Sequence, residues 1–334
     1  MSRPRAALAM GPDAAAAVLD KDALTALGRV CDLADGILDD FTTVHARETL
    51  TDVELLVTGW GCPPLDAAVL ATAPRLRAVV HTAGSVRAHV TEACWERGIE
   101  VTSAAAANAV PVAEYTVAMI LLSGKRVLER ARDYRVDRVR DDWLAVPRDV
   151  GNYHRTVGIL SASMIGRRVI ELLQPYDLRV LVHDPYVSAT EIDRLGAEAV
   201  DLADLFAGSD VVSVHTPLLP ETHGLVGREL IASMRPDAVL INTARGAVLD
   251  QDAVSAATAA GRIRAVLDVT EPEVLPRSHP LWTDGNVLIT PHLAGSQGNE
   301  WGRLAELAVA EVARWAAGDG FAHPVHRDRM GLIA

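Results

Sequence analysis

Short apolar runs alternate with helical patterns along most of the chain. In the first third, the predicted strands are Arg5–Met10, Glu54–Thr58, Ala78–His81 and Glu100–Thr102, and helical stretches separate them. Strands that alternate with helices in this way are typical of βαβ units. The pattern therefore predicts an α/β fold built on a parallel sheet.

The middle of the chain breaks this alternation. A single helical period over Val110–Arg132 predicts one long helix with Pro111 in its first turn. The stretch from Asp133 to Arg155, which includes Trp143, is polar and has no clear period. Long irregular stretches in compact proteins are often functional loops, so we expect a loop of that kind here.

The alternation returns at Thr156 with clearer signals. Six apolar, β-branched runs follow one another, and they read TVGIL, LRVLVHD, VVSVH, AVLINTA, RAVLDV and NVLIT. Six parallel strands joined by crossover helices are the number found in a complete dinucleotide-binding fold. The last predicted element is an amphipathic helix over Asn299–Gly318.

Length, charge and cysteine content narrow the class of protein. The 334 residues predict about two domains, and 32 basic against 44 acidic residues give a net charge of −12. This charge disfavours nucleic-acid binding. Cys31, Cys62 and Cys94 form no close pair, so we expect no metal, no disulfide framework and a cytoplasmic location. We also expect no membrane span, because no continuous run of about 18 apolar residues occurs.

The turn after the run TVGIL resembles a glycine fingerprint for dinucleotides. The sequence VGILSASMIGRRV places Ser161, Ser163 and Gly166 where that fingerprint has three glycines. Serine adds a Cβ where phosphates approach, although its hydroxyl could donate to a phosphate. By spacing alone, a purely structural βα turn is an equal alternative.

Asp184 strengthens the interpretation as a cofactor site. It ends the next predicted strand, 184 − 166 = 18 residues after Gly166, where an acidic side chain suits the two ribose hydroxyls. A 2′-phosphate would meet a like charge there, so NAD is the expected cofactor rather than NADP. Taken alone, Asp184 could equally cap the following turn.

Three later strand ends carry groups capable of acid–base and carboxylate chemistry. Arg245 follows one strand, Glu271 and Glu273 follow the next, and His292 follows a third. Each of these residues could by itself be structural or merely solvated. Parallel strands place such ends at one edge of the sheet, so the three residue types are expected to converge.

An ordered set of motifs resembles that of a known family. The motifs HTPLLPETHGLV (from His215), LINTARGAVLD, LDVTEPEVLP and ITPHLAGS follow in order, and VPVAEYTVAMIL precedes them at Val110–Leu121. This set is similar to that of the D-isomer-specific 2-hydroxyacid dehydrogenases. The family includes phosphoglycerate dehydrogenase, glyoxylate/hydroxypyruvate reductase and formate dehydrogenase.

The resemblance implies two domains and a homodimer. A discontinuous, flavodoxin-like substrate domain would comprise residues 1–109 and 299–334, and a Rossmann-type NAD-binding domain would comprise residues 110–298. The substrate would be a small 2-hydroxy or 2-keto acid.

The resemblance also implies roles for individual residues. Arg245 would hold the substrate carboxylate and carbonyl, His292 would be the acid/base, and Glu273 would be its partner. Substrate would also meet the backbone at Ala83, Gly84 and Ser85. The implied cofactor contacts are Ser161, Ser163, Met164, Ile165, Gly166, Asp184, His215, Thr216, Pro217, Thr222, Thr243, Ala244, Arg245, Asp268, His292 and Gly295.

Some residues depart from the family pattern. Two fingerprint glycines are serines, and Tyr115 stands where many relatives have histidine. The substrate loop lacks the usual Asp-Asn pair and has Arg87 and His89 nearby instead. Together with His81, these residues could favour a second anionic group on the substrate, or all three could be solvated surface cations.

Two alternative functions stay open. Formate dehydrogenases pair the histidine with glutamine, and Glu273 argues against that activity. A non-catalytic NAD(H)-binding redox sensor or co-regulator would not need Arg245, Glu273 and His292.

Overall fold

The chain forms two compact units in the computed structural model, which describes residues 3–139, 142 and 144–332. Unit 1 comprises Met1–Asn108 and Ser296–Ala334, and unit 2 comprises Ala109–Gly295. The boundaries drawn from the sequence differ from these by one residue at the first crossing and three at the second.

Unit 1 is built on a parallel sheet. Within the described residues this sheet has five strands in the order β2-β1-β3-β4-β5, which is the flavodoxin-like order. Its strands are β1 (Arg5–Ala9), β2 (Asp32–Ile37), β3 (Leu55–Thr58), β4 (Ala78–His81) and β5 (Glu100–Ser103). Its helices are α1 (Pro12–Val18), α2 (Lys21–Val30), α3 (Val44–Leu50), α4 (Ala67–Thr72), α5 (Glu92–Glu96), the start of α6 (Ala105–Gly124) and α13 (Trp301–Ala317).

Alternate residues of each strand in unit 1 face opposite hydrophobic cores. Ala6 and Leu8 of β1 belong to one buried cluster, and Ala7 and Ala9 belong to the other. Helix α13 packs Leu304 and its apolar neighbours into the first of these clusters. Both faces of the sheet are therefore covered, which explains why the strands read as continuous apolar runs.

Unit 2 contains a second all-parallel sheet. Its order is β12-β11-β10-β9-β6-β7-β8, which extends the Rossmann order by one strand in the part of the chain described. The strands are β6 (Thr156–Leu160), β7 (Arg179–His183), β8 (Glu198–Ala199), β9 (Val211–Val214), β10 (Val239–Asn242), β11 (Arg264–Leu267) and β12 (Val287–Ile289). The helices are the rest of α6, α7 (Val127–Asp137), α8 (Met164–Leu173), α9 (Ala189–Arg194), α10 (Leu202–Gly208), α11 (Arg228–Ser233) and α12 (Gln251–Ala259).

The predicted fold class, two parallel-sheet α/β domains with flanking helices, is confirmed. Two strands were not predicted. Strand β8 has two residues, both exposed, and β2 is interrupted by Asp35 and Gly36, so neither carries an apolar run. The predicted count of six strands in the second half is therefore wrong, and the described residues form seven.

The predicted single helix over Val110–Arg132 is also wrong. Helix α6 ends at Gly124, Arg126 adopts a left-handed backbone with φ 50°, and α7 then begins. The end of α6 is capped from a distant segment, because Gly151 N donates to Gly124 O and Asn152 Nδ2 donates to Leu121 O. Helix α7 occupies the first part of the stretch predicted to be irregular, and Trp143 lies outside the described residues.

Helix α6 is long and apolar enough to cross a membrane by length and composition. In unit 2 it packs Ala113, Val117 and Ile120 into the hydrophobic core beside β6. It is therefore a core helix of this unit. That no segment enters a membrane stays a prediction.

Candidate active site

The predicted site residues of unit 2 follow the strands at one edge of its sheet. Because all seven described strands are parallel, the segments after β6, β7, β9, β10, β11 and β12 emerge at the same edge. Such edges bind ligands in open α/β sheets.

Of the three fingerprint positions in the turn between β6 and α8, only Gly166 is a glycine. Ser161 lies in the left-handed region with φ 81°, a conformation that ordinarily favours glycine. Ser163 has an ordinary φ of −64° and caps α8, its Oγ accepting from Gly166 N at 3.3 Å and donating to His215 O at 2.9 Å. Gly166 is still required, since a Cβ there would overlap the carbonyl oxygen of Ser161.

Asp184 lies directly beside this turn. Its Oδ2 accepts from Ser161 Oγ at 3.1 Å and from Ala162 N at 2.8 Å, and its Oδ1 accepts from Tyr186 N at 2.8 Å. A carboxylate offers about four acceptor positions, so about one is left on Oδ1 after these three contacts. Asp184 therefore caps the turns around it, and its role as an acceptor for the ribose hydroxyls stays a prediction.

A basic side chain at the same turn is already engaged. Arg167 of α8 donates through Nε to Ala162 O at 2.9 Å, and its Nη2 lies 2.6 Å from Oε1 of Glu191. The acidic partner offsets the positive charge that this arginine brings to the first turn of α8. The surroundings of Asp184 thus disfavour an additional phosphate.

These features fit NAD. The amino end of α8 presents backbone N–H groups suited to a pyrophosphate. Close packing at Gly166 requires a residue without a Cβ, so no side chain occupies that point of the turn. The carboxylate of Asp184, directly after β7, is the type of group that suits ribose hydroxyls in such folds. Met164 is exposed beside Ile165 in the first turn of α8.

The polar side chains of the segment after β9 are engaged in contacts within the protein. Burial lowers the pKa of His215 to about 3, and its Nε2 lies 3.0 Å from Ser213 Oγ. Thr222 Oγ1 donates to Pro217 O at 2.6 Å and accepts from Leu219 N at 2.8 Å. The hydroxyl of Thr216 is buried and donates to Leu160 O at 3.4 Å. Side chains here shape the loop, so any cofactor contact from it would come mostly from the backbone.

The turn that carries Arg245 is fixed by Asn242, the last residue of β10. Asn242 Oδ1 accepts from Ala244 N at 3.0 Å, and Asn242 Nδ2 donates to Arg245 O at 2.9 Å. Arg245 is half-buried and donates to Ala244 O at 2.7 Å. Gly246 follows because a Cβ there would overlap the backbone of Thr270. The guanidinium is therefore mounted on a rigid turn.

His292 and Glu273 form a hydrogen-bonded pair. His292 Nδ1 lies 2.7 Å from Glu273 Oε1, and the two side chains are 48% and 59% exposed. The contact fixes the Nδ1 side of the ring and leaves Nε2 directed elsewhere. Glu271 takes no part in this pair, and its backbone bonds to the side chain of Gln251 instead.

Asp268 organises the backbone around His292. Its buried carboxylate accepts from Thr290 Oγ1 at 2.6 Å, from Leu293 N at 2.9 Å and from Ala294 N at 3.0 Å. Its carbonyl oxygen accepts from His292 N at 2.9 Å. His292 has a φ of 53°, a conformation that a non-glycine residue keeps only when its surroundings hold it. This loop ends at Gly295, the last residue of unit 2.

Two hydroxyl contacts in unit 2 were missed from the sequence. Tyr115 OH lies 2.9 Å from Thr290 Oγ1, and Thr116 Oγ1 lies 3.1 Å from Thr243 Oγ1. The sequence marked Tyr115 only as a departure from the family pattern. Tyr115 and Thr290 lie far apart along the chain, and no sequence pattern indicated that their side chains touch.

The predicted substrate loop lies in unit 1, directly after β4. Ala83 is buried, and Gly84 and Ser85 are partly exposed. Since β3 and β4 pair with Thr58 opposite His81, the loop emerges at the carboxyl edge of this sheet. That edge is where parallel sheets place ligands.

The idea that His81, Arg87 and His89 form a cationic patch is wrong for both histidines. His81 and His89 are 3% and 2% exposed, and both rings contact Thr58 Oγ1, at 3.0 and 3.1 Å. Burial lowers the pKa of His81 to about 3, with a smaller contribution from His89, and burial lowers the pKa of His89 to about 4. Both rings are therefore neutral at physiological pH, and Arg87 donates to Met330 O.

Comparisons with known proteins agree with this architecture. The profile of the family described as D-isomer specific 2-hydroxyacid dehydrogenase, NAD binding domain, matches residues 117–294. The glyoxylate reductase of Korarchaeum cryptofilum is 34% identical over 261 residues, which are 77% of this chain and 78% of that protein. The D-3-phosphoglycerate dehydrogenase of Mycobacterium leprae is 32% identical over 258 residues, 77% of this chain and 48% of that protein, so the chain spans about half of its length.

A solved structure extends the likeness over nearly the whole chain. The D-lactate dehydrogenase of Aquifex aeolicus, complexed with NAD and lactic acid, is 27% identical and has a TM-score of 0.69. The match covers 94% of this chain and 96% of that one.

The chain belongs to the D-isomer-specific 2-hydroxyacid dehydrogenase family. Members of this family act on small 2-hydroxy and 2-keto acids, and the chain is an NAD-dependent oxidoreductase. The predicted family, enzyme class and cofactor are thereby confirmed.

Proposed function

We propose that this enzyme interconverts a 2-keto acid and the corresponding 2-hydroxy acid. NADH, when bound, supplies the hydride that reduces C2 of the keto acid. The turn from Ser161 to Ser163 and the backbone N–H groups of the first turn of α8 would hold the pyrophosphate, with the Ser161 hydroxyl engaged by Asp184 rather than by a phosphate. Asp184 would bind the ribose. The loops after β9, β10 and β11 would complete the cofactor contacts.

His292 is proposed to be the acid/base. Its protonated ring would donate to the carbonyl oxygen of the substrate in reduction and would take the proton back in oxidation. Glu273 would stabilise the charged ring and hold its orientation through the 2.7 Å contact at Nδ1.

Arg245 is proposed to bind the substrate carboxylate and to polarise the carbonyl. A guanidinium can form two parallel hydrogen bonds to a carboxylate. Its contribution grows as negative charge develops on the carbonyl oxygen. The backbone at Ala83, Gly84 and Ser85 is proposed as a second contact for the carboxylate.

The observation that carries this proposal is the His292–Glu273 hydrogen bond. Formate oxidation releases carbon dioxide and needs no base for an alcohol proton, so a His–Glu pair has no task in it. A redox sensor would need neither the pair nor the rigidly mounted Arg245. Reduction of a keto acid uses all three residues.

The experiment is an assay of NADH oxidation with glyoxylate, hydroxypyruvate and pyruvate. We expect turnover with at least one acid, and a loss of about a thousandfold or more in kcat for His292→Ala with NADH binding retained. His326→Ala, which changes an exposed histidine of unit 1, is the control and should keep full activity. Near-normal turnover in His292→Ala refutes the proposed role.

We also infer a homodimer formed through unit 2. Helix α7 has no buried residue among those described, and its large apolar side chains are exposed at several points around it, with Val127 at 37%, Leu128 at 42%, Tyr134 at 61% and Val136 at 73%. An exposed helix with large apolar side chains is typical of a surface that another chain covers. A second copy is the occupant that we propose.

We infer a cytoplasmic location as well. Cys31, Cys62 and Cys94 are all free and buried. Unpaired thiols are typical of reducing compartments. Fractionation of cells that produce the tagged protein tests this location.

A further inference from the structure

Two consecutive residues of α6 reach the two loops that carry the proposed catalytic side chains. Tyr115 OH contacts Thr290 Oγ1 at 2.9 Å, and Thr116 Oγ1 contacts Thr243 Oγ1 at 3.1 Å. Thr290 lies two residues before His292, and Thr243 lies two residues before Arg245. One helix therefore contacts both loops, in each case at a residue two positions before the proposed catalytic residue.

The direction of the first contact follows from Asp268. The hydroxyl of Thr290 is 2.6 Å from Asp268 Oδ1, and an ionised carboxylate only accepts hydrogen bonds. Thr290 must therefore donate to Asp268, which leaves Tyr115 as the donor to Thr290. Burial raises the pKa of Tyr115, so the phenol keeps its proton.

This series of hydrogen bonds ends at the backbone of His292. The amide of His292 donates to Asp268 O at 2.9 Å and to Thr290 O at 3.0 Å, so both of its partners belong to the series that Tyr115 begins. The left-handed φ of 53° at His292 makes the loop dependent on such support.

The second contact acts on a different loop. Thr116 is completely buried and Thr243 is 6% exposed, so a lost hydroxyl partner would not be replaced by water. Thr243 lies between Asn242, which clamps the turn, and Ala244, whose carbonyl accepts from Arg245. Movement of Thr243 would move the guanidinium.

We propose that Tyr115 and Thr116 are positioning residues, the first for His292 and the second for Arg245. The proposal rests on the functions proposed above for those two side chains. Because His292 transfers a proton whereas Arg245 also binds the carboxylate of the ground-state substrate, loss of the first contact should lower kcat alone, and loss of the second should raise KM in addition to any effect on kcat.

The test compares Tyr115→Phe with Thr116→Val, using the 2-keto acid of the panel that the unmodified enzyme reduces fastest. Tyr115→Phe should lower kcat about tenfold and leave KM within about twofold. Thr116→Val should raise KM for the keto acid about tenfold, and Thr116→Ser, which keeps the hydroxyl, should restore it. In a Thr290→Val background, Tyr115→Phe should have no further effect on kcat.

Two matched controls separate positioning from folding. Tyr176→Phe changes a tyrosine that is 43% exposed, and Thr258→Val changes a buried threonine whose hydroxyl bonds to its own helix. Both should retain the kinetic constants of the unmodified enzyme. The proposal is overturned if the two α6 variants show the same changes of kcat and of KM as each other and if these changes follow their loss of thermal stability.

An NMR measurement that needs no turnover tests the positioning role of Tyr115 independently of the proposed function. The histidine ring signals are recorded by NMR without substrate, and His292→Ala identifies the signal of His292. Tyr115→Phe should shift that signal, and Thr258→Val should not. An unshifted signal overturns the role of Tyr115, even if the enzyme reduces none of the acids in the panel.

Discussion

Ser161 Oγ donates to Asp184 Oδ2 over 3.1 Å, although Ser161 has the left-handed φ of 81° that glycine ordinarily supplies. The hydrogen bond compensates for part of the backbone strain. It also occupies an acceptor position on the carboxylate proposed to bind the ribose. The departure from the glycine fingerprint is therefore linked to the cofactor site.

Ser161→Gly should leave the thermal stability nearly unchanged. The strain that it relieves and the hydrogen bond that it removes are each about 1 kcal/mol. NADH should bind about threefold more tightly, because Asp184 regains an acceptor position. Thermal unfolding and a fluorescence titration with NADH measure both effects.

Ser163→Ala is the matched control for this prediction. It removes a helix cap at an ordinary φ, so it should lower the stability by about 1 kcal/mol with no strain relieved. Weaker NADH binding in Ser161→Gly would contradict the competition between Ser161 and the ribose.

The enzyme should prefer NADH to NADPH by at least about a hundredfold in kcat/KM. A 2′-phosphate at roughly 4 Å from the Asp184 carboxylate costs on the order of 4 kcal/mol at an effective dielectric of about 20. Asp184→Ser should reduce the preference, and adding Glu191→Gln should reduce it further by releasing Arg167. Asp193→Ser, which changes an exposed acid of α9, is the control, and equal kcat/KM for both cofactors in the unmodified enzyme contradicts this interpretation.

Glu273→Gln should lower kcat about tenfold to a hundredfold and change KM little. The amide can still contact Nδ1 of His292, but it cannot stabilise a positive charge on the ring. Steady-state kinetics with the same keto acid measure the change. Glu271→Gln is the control, because Glu271 contacts Gln251 through its backbone, and an equal loss in both variants would argue against the assigned pair.

The protein should lose stability as the pH falls below about 6.5. His81, His89 and His215 are buried with pKa values of about 3, about 4 and about 3, so they remain neutral in the folded state while the unfolded chain takes up protons. Each such histidine costs about 1.4 kcal/mol per pH unit between about pH 6 and its folded pKa.

Urea unfolding between pH 7.5 and pH 4.5 measures this dependence. His89→Gln should be less stable at pH 7.5 and should show a shallower slope, because one group no longer takes up a proton on unfolding. His326→Gln, at an exposed position, should keep the original slope. If stability depends on pH as steeply in His89→Gln as in the unmodified protein, His89 is not a source of the pH dependence.

Val136→Glu should convert the proposed dimer to a monomer. Val136 lies in the last turn of α7 and is 73% exposed, so a charge there would be buried without a partner where association covers this end of the helix. Light scattering after size-exclusion chromatography measures the mass. Val44→Glu, which changes a residue of unit 1 that is 71% exposed, should remain dimeric, and a monomeric unmodified protein contradicts the proposal.

Much of the fold was predictable because strands buried on both faces require continuous apolar runs. The runs at Thr156–Leu160 and Val239–Asn242 carry this signal, whereas β8, with its two exposed residues, does not. The end of α6 was not predictable, since Gly151 and Asn152 cap it from a separate segment.

The order of residues along the chain was enough to establish the fold class and the residue types at the strand ends, including Arg245, Glu273 and His292. Packing was needed to establish that Tyr115 reaches Thr290 and that His81 and His89 are buried and neutral. Contacts between distant segments and the burial of polar groups depend on how whole elements pack. Local periodicity does not encode that packing.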